Sequence, residues 1–383
     1  MPWDETTRMS QRARFSMELS SCLYTMSELC RRYGISRKTG YKWAQRFVES
    51  ETPDFSDRSR RPRSCPHRTA SSVEWELLQL REQHPSWGPR KLLAWLESRR
   101  PGVDWPAAST VSDILKRNGL VRARRYSQRP PAMPVSALQV PSAPNDLWTS
   151  DFKGQFRLGD RQECYPLTVA DAVSRYVVGL KGLRSVAGAG VHQVFERLFR
   201  EHGLPSAIRT DNGSPFASTS LGRLSRLSVW WLKLGIRLER IAPGHPEQNG
   251  SHERMHRTLK AETARPPAAN ALVQQARFDE FRRIYNEERP HEALGQKPPA
   301  SRYEASPRPY PERLSEPQYP GHYEVRSVRA DGCVKWRGER LFVSEALTGE
   351  RIGLEEVEDG IWSVSFGTVL LARFDARERT LYG

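Results

Sequence analysis

Apolar residues between positions 14 and 47 recur at helical spacing and predict three short helices. A turn at Gly34 separates the last two, and Ser36 is placed to cap a third helix from Arg37 to Phe47. Helix, glycine turn and helix form a helix-turn-helix pattern, typical of DNA-binding units and also of units that only pack. The side chains expected to face inward are Tyr41, Ala44 and Phe47. Those expected to face the major groove of DNA are Arg37, Lys38, Thr39 and Lys42.

Residues 70–126 repeat the helical pattern. One helix is predicted from Val73 to Gln83, and a second begins after Trp87 with a proline near its first turn. A third is predicted to end at Asn118-Gly119, where glycine can close a helix. The order predicts a second helix-turn-helix-like unit.

From residue 146 onward, strand and helix patterns mix. Strands are predicted at 148–156, 165–171, 176–183, 207–210 and 236–241, and helices at 186–202, 221–234, 253–262 and 273–286. Three consecutive strands followed by alternating helices and strands predict a mixed sheet covered by helices. The tail, 320–383, consists of short strand-like runs separated by Gly or Asp, which predict a small barrel or sandwich.

The net charge of +15 adds a polyanion such as DNA to the expected partners, although a solvated basic surface is the plainer alternative. Residues 311–383 hold 10 Lys and Arg against 13 Asp and Glu, so the positive excess lies upstream of them. The tail is therefore not expected to be the main DNA-binding surface.

Two segments have the composition of linkers. The basic segment is either an arm for the minor groove, formed by Arg60, Arg61 and Arg63, or a solvated linker. The other segment is rich in proline. The expected organisation is a helix-turn-helix unit at 1–53, a basic linker at 54–69, a second helical unit at 70–126, a proline-rich linker at 127–145, a mixed α/β domain at 146–310 and a β-rich domain at 320–383.

The five cysteines are scattered, odd in number and without a Cys-x-x-Cys pair, which predicts a reducing compartment and no disulfide framework. No spacing of His and Cys matches a zinc module, so no zinc is expected. No apolar run is long enough to span a bilayer, and the first residues have no signal-peptide pattern. The cytoplasm is the expected location, at the nucleoid if the source is bacterial, with no membrane partner.

Three carboxylates lie in three separate motifs of the mixed α/β region. Asp151 lies in Trp-Thr-Ser-Asp-Phe, Asp211 in Arg-Thr-Asp-Asn-Gly, and Glu253 in Gln-Asn-Gly-Ser-His-Glu. The first two follow strand-like runs, and the third lies in a helix-like run. Two strand-end aspartates and one helical glutamate can converge to hold a pair of Mg²⁺ ions, which clamp the attacking and leaving oxygens of a phosphodiester.

These blocks resemble the catalytic core of the retroviral-integrase superfamily, and most closely the DDE transposases of bacterial insertion sequences. In that family the glutamate follows an Asn-Gly or Gln-Gly turn and precedes a basic helix ending in Leu-Lys, as Asn249-Gly250, Glu253 and Lys260 do here. A block from Tyr285 to Leu294 resembles the end of such cores. Asp211 and Glu253 are 42 positions apart, somewhat more than in the shortest members, and we interpret the excess as a longer helix around Trp230-Trp231.

The resemblance implies a multidomain α and α/β protein: helix-turn-helix units, a ribonuclease-H-like mixed α/β catalytic core and a small SH3-like β-barrel. It implies that Asp151 bridges two Mg²⁺ or Mn²⁺ ions, that Asp211 completes one site and that Glu253 completes the other. The implied enzyme is a transposase that binds double-stranded element ends, cuts them and joins them to target DNA as a homo-oligomer, without an organic cofactor.

The sequence also predicts roles for several residues near the triad, on less specific patterns. Glu247 is the rival third ligand. Arg257 and Lys260, four and seven positions after Glu253, share its helical face and are expected to hold phosphates, and Asn249 is expected to shape the entry. The spacing of His245, His252, His256 and His291 predicts no metal-binding set. Two other classes stay open: a metal-dependent nuclease without strand transfer, and a DNA-binding regulator with an inactive core.

Overall fold

A computed structural model describes residues 7–49, 54–57, 68–121, 140–218, 220–242, 246–378 and 380–382. Chain contacts divide the protein into two compact units, residues 1–68 and 69–383. The expected basic arm at Arg60, Arg61 and Arg63 and most of the proline-rich segment lie outside the described residues.

The described part of the first unit forms three helices: α1 (Arg8–Ser20), α2 (Met26–Arg32) and α3 (Arg37–Val48). Thr25 and Glu28 form a reciprocal capping box at α2, and the Ser36 hydroxyl caps α3. The buried side chains of α3 are not the expected ones: Tyr41 is 60% exposed, whereas Trp43 is 4% exposed. Gly40 explains this register, because a Cβ there would lie 2.6 Å from the Cys30 sulfur, so α3 meets α2 along its Gly40–Trp43 side.

The second unit begins with three more helices: α4 (Ser71–Gln83), α5 (Pro89–Arg99) and α6 (Ala108–Arg117). They enclose a core of their own, in which Leu77, Trp87, Leu92 and Ile114 are almost fully buried. Ile284, from the mixed α/β region, packs against this core.

The mixed α/β region is built on one sheet. Its strands are β1 (Trp148–Phe152), β2 (Phe156–Arg157), β3 (Glu163–Asp171), β4 (Val177–Leu183), β5 (Ala207–Thr210) and β6 (Arg237–Arg240). The main path runs β2-β3-β1-β5-β6, and β4 pairs with β3. β1 is antiparallel to β3 and parallel to β5, and β5 is parallel to β6. This mixed sheet agrees with the ribonuclease-H-like arrangement that was expected.

Helices cover both faces of the sheet. α7 (Gly188–His202) and α8 (Arg226–Lys233) pack on one face with Val178, and α9 (Gly250–Thr263) and α10 (Ala271–Arg283) pack on the other with Val177 and Leu180. The long-helix interpretation around Trp230-Trp231 is wrong, because α8 has only eight residues. The longer separation of Asp211 and Glu253 instead includes an irregular segment before α8, with a 3₁₀ turn at Leu221–Arg223 where Gly222 has a φ of 63°.

The tail forms two sheets. One has the order β13-β12-β11-β10-β7, from strands β7 (Glu324–Ser327), β10 (Arg351–Glu358), β11 (Ile361–Phe366), β12 (Val369–Asp375) and β13 (Thr380–Tyr382). The other is the hairpin of β8 (Cys333–Trp336) and β9 (Glu339–Phe342). The strands we can describe do not close on one another, so a barrel is not confirmed. The tail packs on the α/β region through Leu224 and Val229, and Lys233 pairs with Glu350 at 2.8 Å.

The described cysteines, Cys22, Cys30, Cys164 and Cys333, are all free. Within the described ranges, none of the helices combines the length and the apolar character needed to cross a bilayer.

Candidate active site

Two of the three predicted carboxylates lie at one edge of the sheet. Asp151 is in β1 and Asp211 directly follows β5. These two strands are parallel neighbours, with Trp148 beside Ile208 and Thr149 beside Arg209. Because parallel strands end at the same edge, both aspartates lie there. Glu253 is in the first turn of α9, where a carboxylate also interacts favourably with the helix dipole.

The electrostatics of Asp151 connect all three groups. Its side chain is 24% exposed, and burial raises the pKa of Asp151 to about 7. The Asp211 carboxylate is the next cause of this raised pKa, and Glu253 adds to it. Like charges therefore crowd a partly buried carboxylate, an arrangement that a bound cation would relieve.

Asp151 and Glu253 border a basic cavity of 790 Å³. Its lining residues are Asp151, Phe152, Lys153, Glu253, His256, Arg257, Lys260, Ala261 and Arg265. Arg257 and Lys260 are exposed along the wall, as their helical spacing predicted. Lys153, His256 and Arg265 were not predicted. The sequence could have predicted Lys153 as a neighbour of the site, since it is two positions after Asp151 and alternate residues of a strand share a face.

Asp211 lies outside the lining of this cavity and is exposed. Its Oδ1 accepts a hydrogen bond from the Gly213 amide at 3.1 Å, and Asn212 donates to the Ile241 carbonyl at 2.8 Å. As the described side chains stand, no three from His, Cys, Asp and Glu are gathered closely enough to hold one metal ion. The donors themselves are carboxylate oxygens, the ligand type that Mg²⁺ prefers.

The helix that carries Glu253 is connected to β1 and β3 by hydrogen bonds. His252 and His256 both place Nε2 at 2.6 Å from the Thr168 hydroxyl oxygen. Thr168 donates to the Asp151 carbonyl oxygen at 2.9 Å, and His252 Nδ1 lies 2.8 Å from the Thr149 hydroxyl. Burial lowers the pKa of His252 to about 3 and that of His256 to about 2. Both imidazoles are therefore neutral near pH 7.

A buried ion pair supports the turn before α9. Arg209, on β5, pairs with Glu239 of β6 at 2.9 Å and donates to the Gln248 carbonyl at 3.2 Å. Gln248 in turn accepts from the Ala242 amide at 2.9 Å. The start of α9, and with it Glu253, is thus held to the same edge of the sheet as Asp211.

The remaining predicted residues lie elsewhere. Arg37, Lys38 and Lys42 are exposed on α3 and Thr39 is half-buried, all in the first compact unit. Asn249 is 6% exposed, so its expected place at the entry is not a surface position, and its Oδ1 has no hydrogen-bond partner among the residues that the structure describes. The side chain of Glu247, the rival ligand, lies outside the described part of the protein.

Family models match the core, the tail and a stretch that runs through both helical units. Residues 141–246 and 234–299 each match a model described as an integrase core domain. Residues 39–115 match a homeodomain-like domain. Residues 323–381 match the C-terminal domain of IS481 family transposases.

Two relatives come from bacterial insertion elements. An uncharacterized 39.2 kDa protein of insertion element IS476 from Xanthomonas euvesicatoria is 29% identical over 261 residues, covering 68% of this chain and 72% of the relative. A 31.7 kDa protein of insertion element IS407 from Burkholderia multivorans is 28% identical over 220 residues, covering 57% and 76%.

Among solved structures, the catalytic core of HTLV-2 integrase in complex with magnesium aligns with a TM-score of 0.34 at 15% identity, covering 42% of this chain and 98% of that one. A chain of the simian T-cell lymphotropic virus intasome aligns with a TM-score of 0.38 at 17% identity, covering 77% and 97%.

The mixed sheet and the two integrase-core matches support a polynucleotidyl transferase of the integrase class. With the IS481-type C-terminal domain and the insertion-element relatives, these matches support a DDE transposase of the integrase superfamily, an enzyme that cleaves DNA and transfers its strands.

Proposed function

We propose that this transposase recognises the ends of its own mobile element and acts on them at the Asp151–Asp211–Glu253 edge with two Mg²⁺ or Mn²⁺ ions. The observation that carries the proposal is the cavity in which Asp151 and Glu253 face a wall of four cationic side chains. Acidic groups suit metal ions, and the basic wall suits the phosphates of a DNA strand. Its place of action would be the bacterial nucleoid, without membrane or organic cofactor.

Each side chain then has a defined task. Asp151, Asp211 and Glu253 would together hold the two ions. Arg257 and Lys260, on successive turns of α9, would hold the strand by its phosphates, with Lys153 and Arg265 at the cavity rim. The ions, when bound, supply activation of a nucleophile and stabilisation of the leaving oxygen. Water is the first nucleophile and the freed 3′-hydroxyl the second, so no Ser or Tyr nucleophile is needed.

DNA recognition is assigned to the helical units rather than to this cavity. The exposed Arg37, Lys38 and Lys42 on α3, with Thr39, would contact bases and phosphates in a major groove. Arg60, Arg61 and Arg63 would add a minor-groove arm. A homo-oligomer would hold two ends together for joining to one target, and the tail would contribute an SH3-like β module to that assembly.

A cleavage and joining assay tests the proposal, with duplexes copied from the boundaries of the insertion and with Mg²⁺ or Mn²⁺. Asp151→Asn, Asp211→Asn and Glu253→Gln should each abolish both reactions while end-binding is retained. Asp279→Asn, an exposed carboxylate on α10, is the control and should keep full activity. If Glu253→Gln stays active while Glu247→Gln is dead, the third ligand is wrong. Cleavage without any joining by the unchanged protein would instead identify a nuclease.

A further inference from the structure

Two arginines lie together on the flank of α9, the catalytic helix, that faces away from the cavity. Arg254 is exposed on this helix and is not part of the cavity lining, whereas Arg257 is. Arg175, in the turn between β3 and β4, is half-buried and lines a small space together with Ser251 and Met255 of α9. Ser251 and Arg254 are three positions apart, so they share a face of the helix. Arg175 and Arg254, the flank pair, are therefore neighbours.

The two guanidinium groups of the flank pair repel each other. Burial lowers the pKa of Arg175, and the charge of Arg254 is the next cause of this lowered pKa. Asp171 also acts on Arg175, but its carboxylate accepts hydrogen bonds from the amides of Asn145 and Ser174 at 2.8 and 2.7 Å. Within the described part of the chain, neither arginine side chain has an ion-pair or hydrogen-bond partner. The flank pair is thus a concentration of positive charge without a matching acid.

Positive charge continues from the flank pair to the second helical unit. Burial, followed by the charges of Lys91, Arg289 and Arg175, lowers the pKa of His291, so these three cations surround one imidazole. Arg289 pairs with Glu262, and Lys91 donates to a backbone carbonyl oxygen. These two cations therefore serve contacts within the protein, whereas the flank pair is left for a ligand.

The position of the flank pair suits the backbone of a DNA duplex. α9 presents Arg257 and Lys260 toward the cavity and the flank pair on its other side. An α-helix with its side chains is about 10–12 Å across, and the major groove of B-DNA is about 12 Å wide. Cations on the two sides of α9 are therefore far enough apart to contact the backbones on either side of one groove.

We propose that Arg175 and Arg254 together hold one backbone phosphate of the element-end duplex, on the side of α9 opposite the cavity. This rests on the proposed function, because it adds a contact to the DNA assigned there. A phosphate accepts hydrogen bonds from guanidinium groups in the geometry that arginine favours, and it relieves the repulsion between the two cations. Element-end DNA is the source, because the flank pair lies between Glu253 and the second helical unit, to which end recognition is assigned.

The salt dependence of DNA binding tests the proposal. Fluorescence anisotropy would follow the full-length protein on a duplex copied from the boundary of the insertion, without divalent metal so that the DNA is not cut. Each neutralised phosphate releases counterions, so Arg254→Met and Arg175→Met should each reduce the slope of log affinity against log salt by about 1. Arg175→Lys keeps the charge and should restore the slope. Arg302→Met removes an exposed arginine of the core and is the matched control, with an unchanged slope.

A second measurement identifies the phosphate. Neutral methylphosphonate linkages are placed one at a time along both strands of the same duplex. At one linkage, binding of the unchanged protein should weaken roughly tenfold, the scale of a hydrogen bond to a charged group, whereas binding of Arg254→Met should not weaken further. A purely structural role of Arg175 would not produce this dependence on a single linkage. Because Arg254 is exposed, its variant tests the site even if Arg175→Met does not fold.

Scrambled DNA separates the possible failures. If the unchanged protein prefers end DNA but Arg254→Met keeps the same slope, the flank pair holds no phosphate and the proposed function stands. If the slope falls but no single linkage of the end duplex accounts for it, the pair contacts other DNA, such as the target, and the element-end assignment is overturned. If the unchanged protein binds end DNA and scrambled DNA equally, the end recognition in the proposed function is itself wrong.

Discussion

Arg289 donates to the Ser86 hydroxyl at 2.9 Å, across 203 positions of sequence. The same guanidinium pairs with Glu262, near the end of the catalytic helix, at 3.5 Å. Lys91 reinforces the contact by donating to the Pro290 carbonyl at 2.5 Å. The second helical unit is thus docked on the catalytic core, whereas only residues 1–68 form a separate compact unit.

Replacing Arg289 should therefore loosen this docking. Its side chain is 10% exposed, so Arg289→Met leaves the Ser86 and Glu262 partners without a buried donor and should lower the free energy of unfolding by about 1–3 kcal/mol. Urea denaturation measures the change. The control is Arg90→Met, since the Arg90–Glu292 pair is largely exposed and such pairs contribute little. If both variants lower the free energy of unfolding equally, Arg289 contributes no more to the docking than the exposed Arg90 does.

Much of the core was predictable because helices such as α7 and α9 are long and periodic. The strand at β5 and the helices α7 and α9 lie close to their predicted bounds, and the triad motifs place Asp151, Asp211 and Glu253 at one sheet edge. The register of α3 was not predictable, because it depends on a close approach at Gly40 that only tertiary packing reveals. The place of His256 beside Asp151 was missed for a similar reason: His256 is held there by a contact with Thr168, 88 positions away in the chain.

Acid should destabilise the protein partly through His291. Burial, followed by the nearby charges of Lys91, Arg289 and Arg175, lowers the pKa of His291 to about 3. The unfolded chain takes up this proton near pH 6.5 and the folded protein does not, so stability is full above pH 6.5 and declines as the pH falls toward 3. Between pH 7.5 and 5.5, His291 should account for a loss of about 1.4 kcal/mol.

Denaturation of a His291→Phe variant at both pH values measures that contribution. The variant should lose about 1.4 kcal/mol less than the unchanged protein between the two pH values. His322→Gln, at an imidazole whose side chain is 63% exposed, should lose as much as the unchanged protein. An unaltered pH dependence in His291→Phe would show that His291 takes up its proton equally in both states.

The exposed face of α3 should read element-end DNA. Lys42→Ala removes a cation whose Nζ lies 5.1 Å from the centroid of the Trp43 ring. If Lys42 contacts bases, its loss should weaken DNA binding by roughly 1–3 kcal/mol and relax the sequence preference. A gel-shift comparison of end DNA with scrambled DNA measures both effects. Arg373→Ala, an exposed cation of the tail, should leave the discrimination unchanged. If Lys42→Ala weakens both DNAs equally, Lys42 contacts only phosphates.

Joining two element ends to one target requires two active sites held together. We therefore expect a homo-oligomer on paired ends. In it, one subunit would bind an element end, and the active site of another subunit would act on that same end. The structure indicates where to divide the chain for this test, because α4–α6 carry Ser86 and Lys91 and must stay with the core. A protein lacking residues 1–68 should therefore keep its fold but lose specific end-binding. Mixing it with full-length Asp151→Asn should restore joining, since one partner reads DNA and the other supplies the carboxylate. A mixture as inactive as its components, together with a monomer on paired ends by light scattering, would show that each subunit works alone.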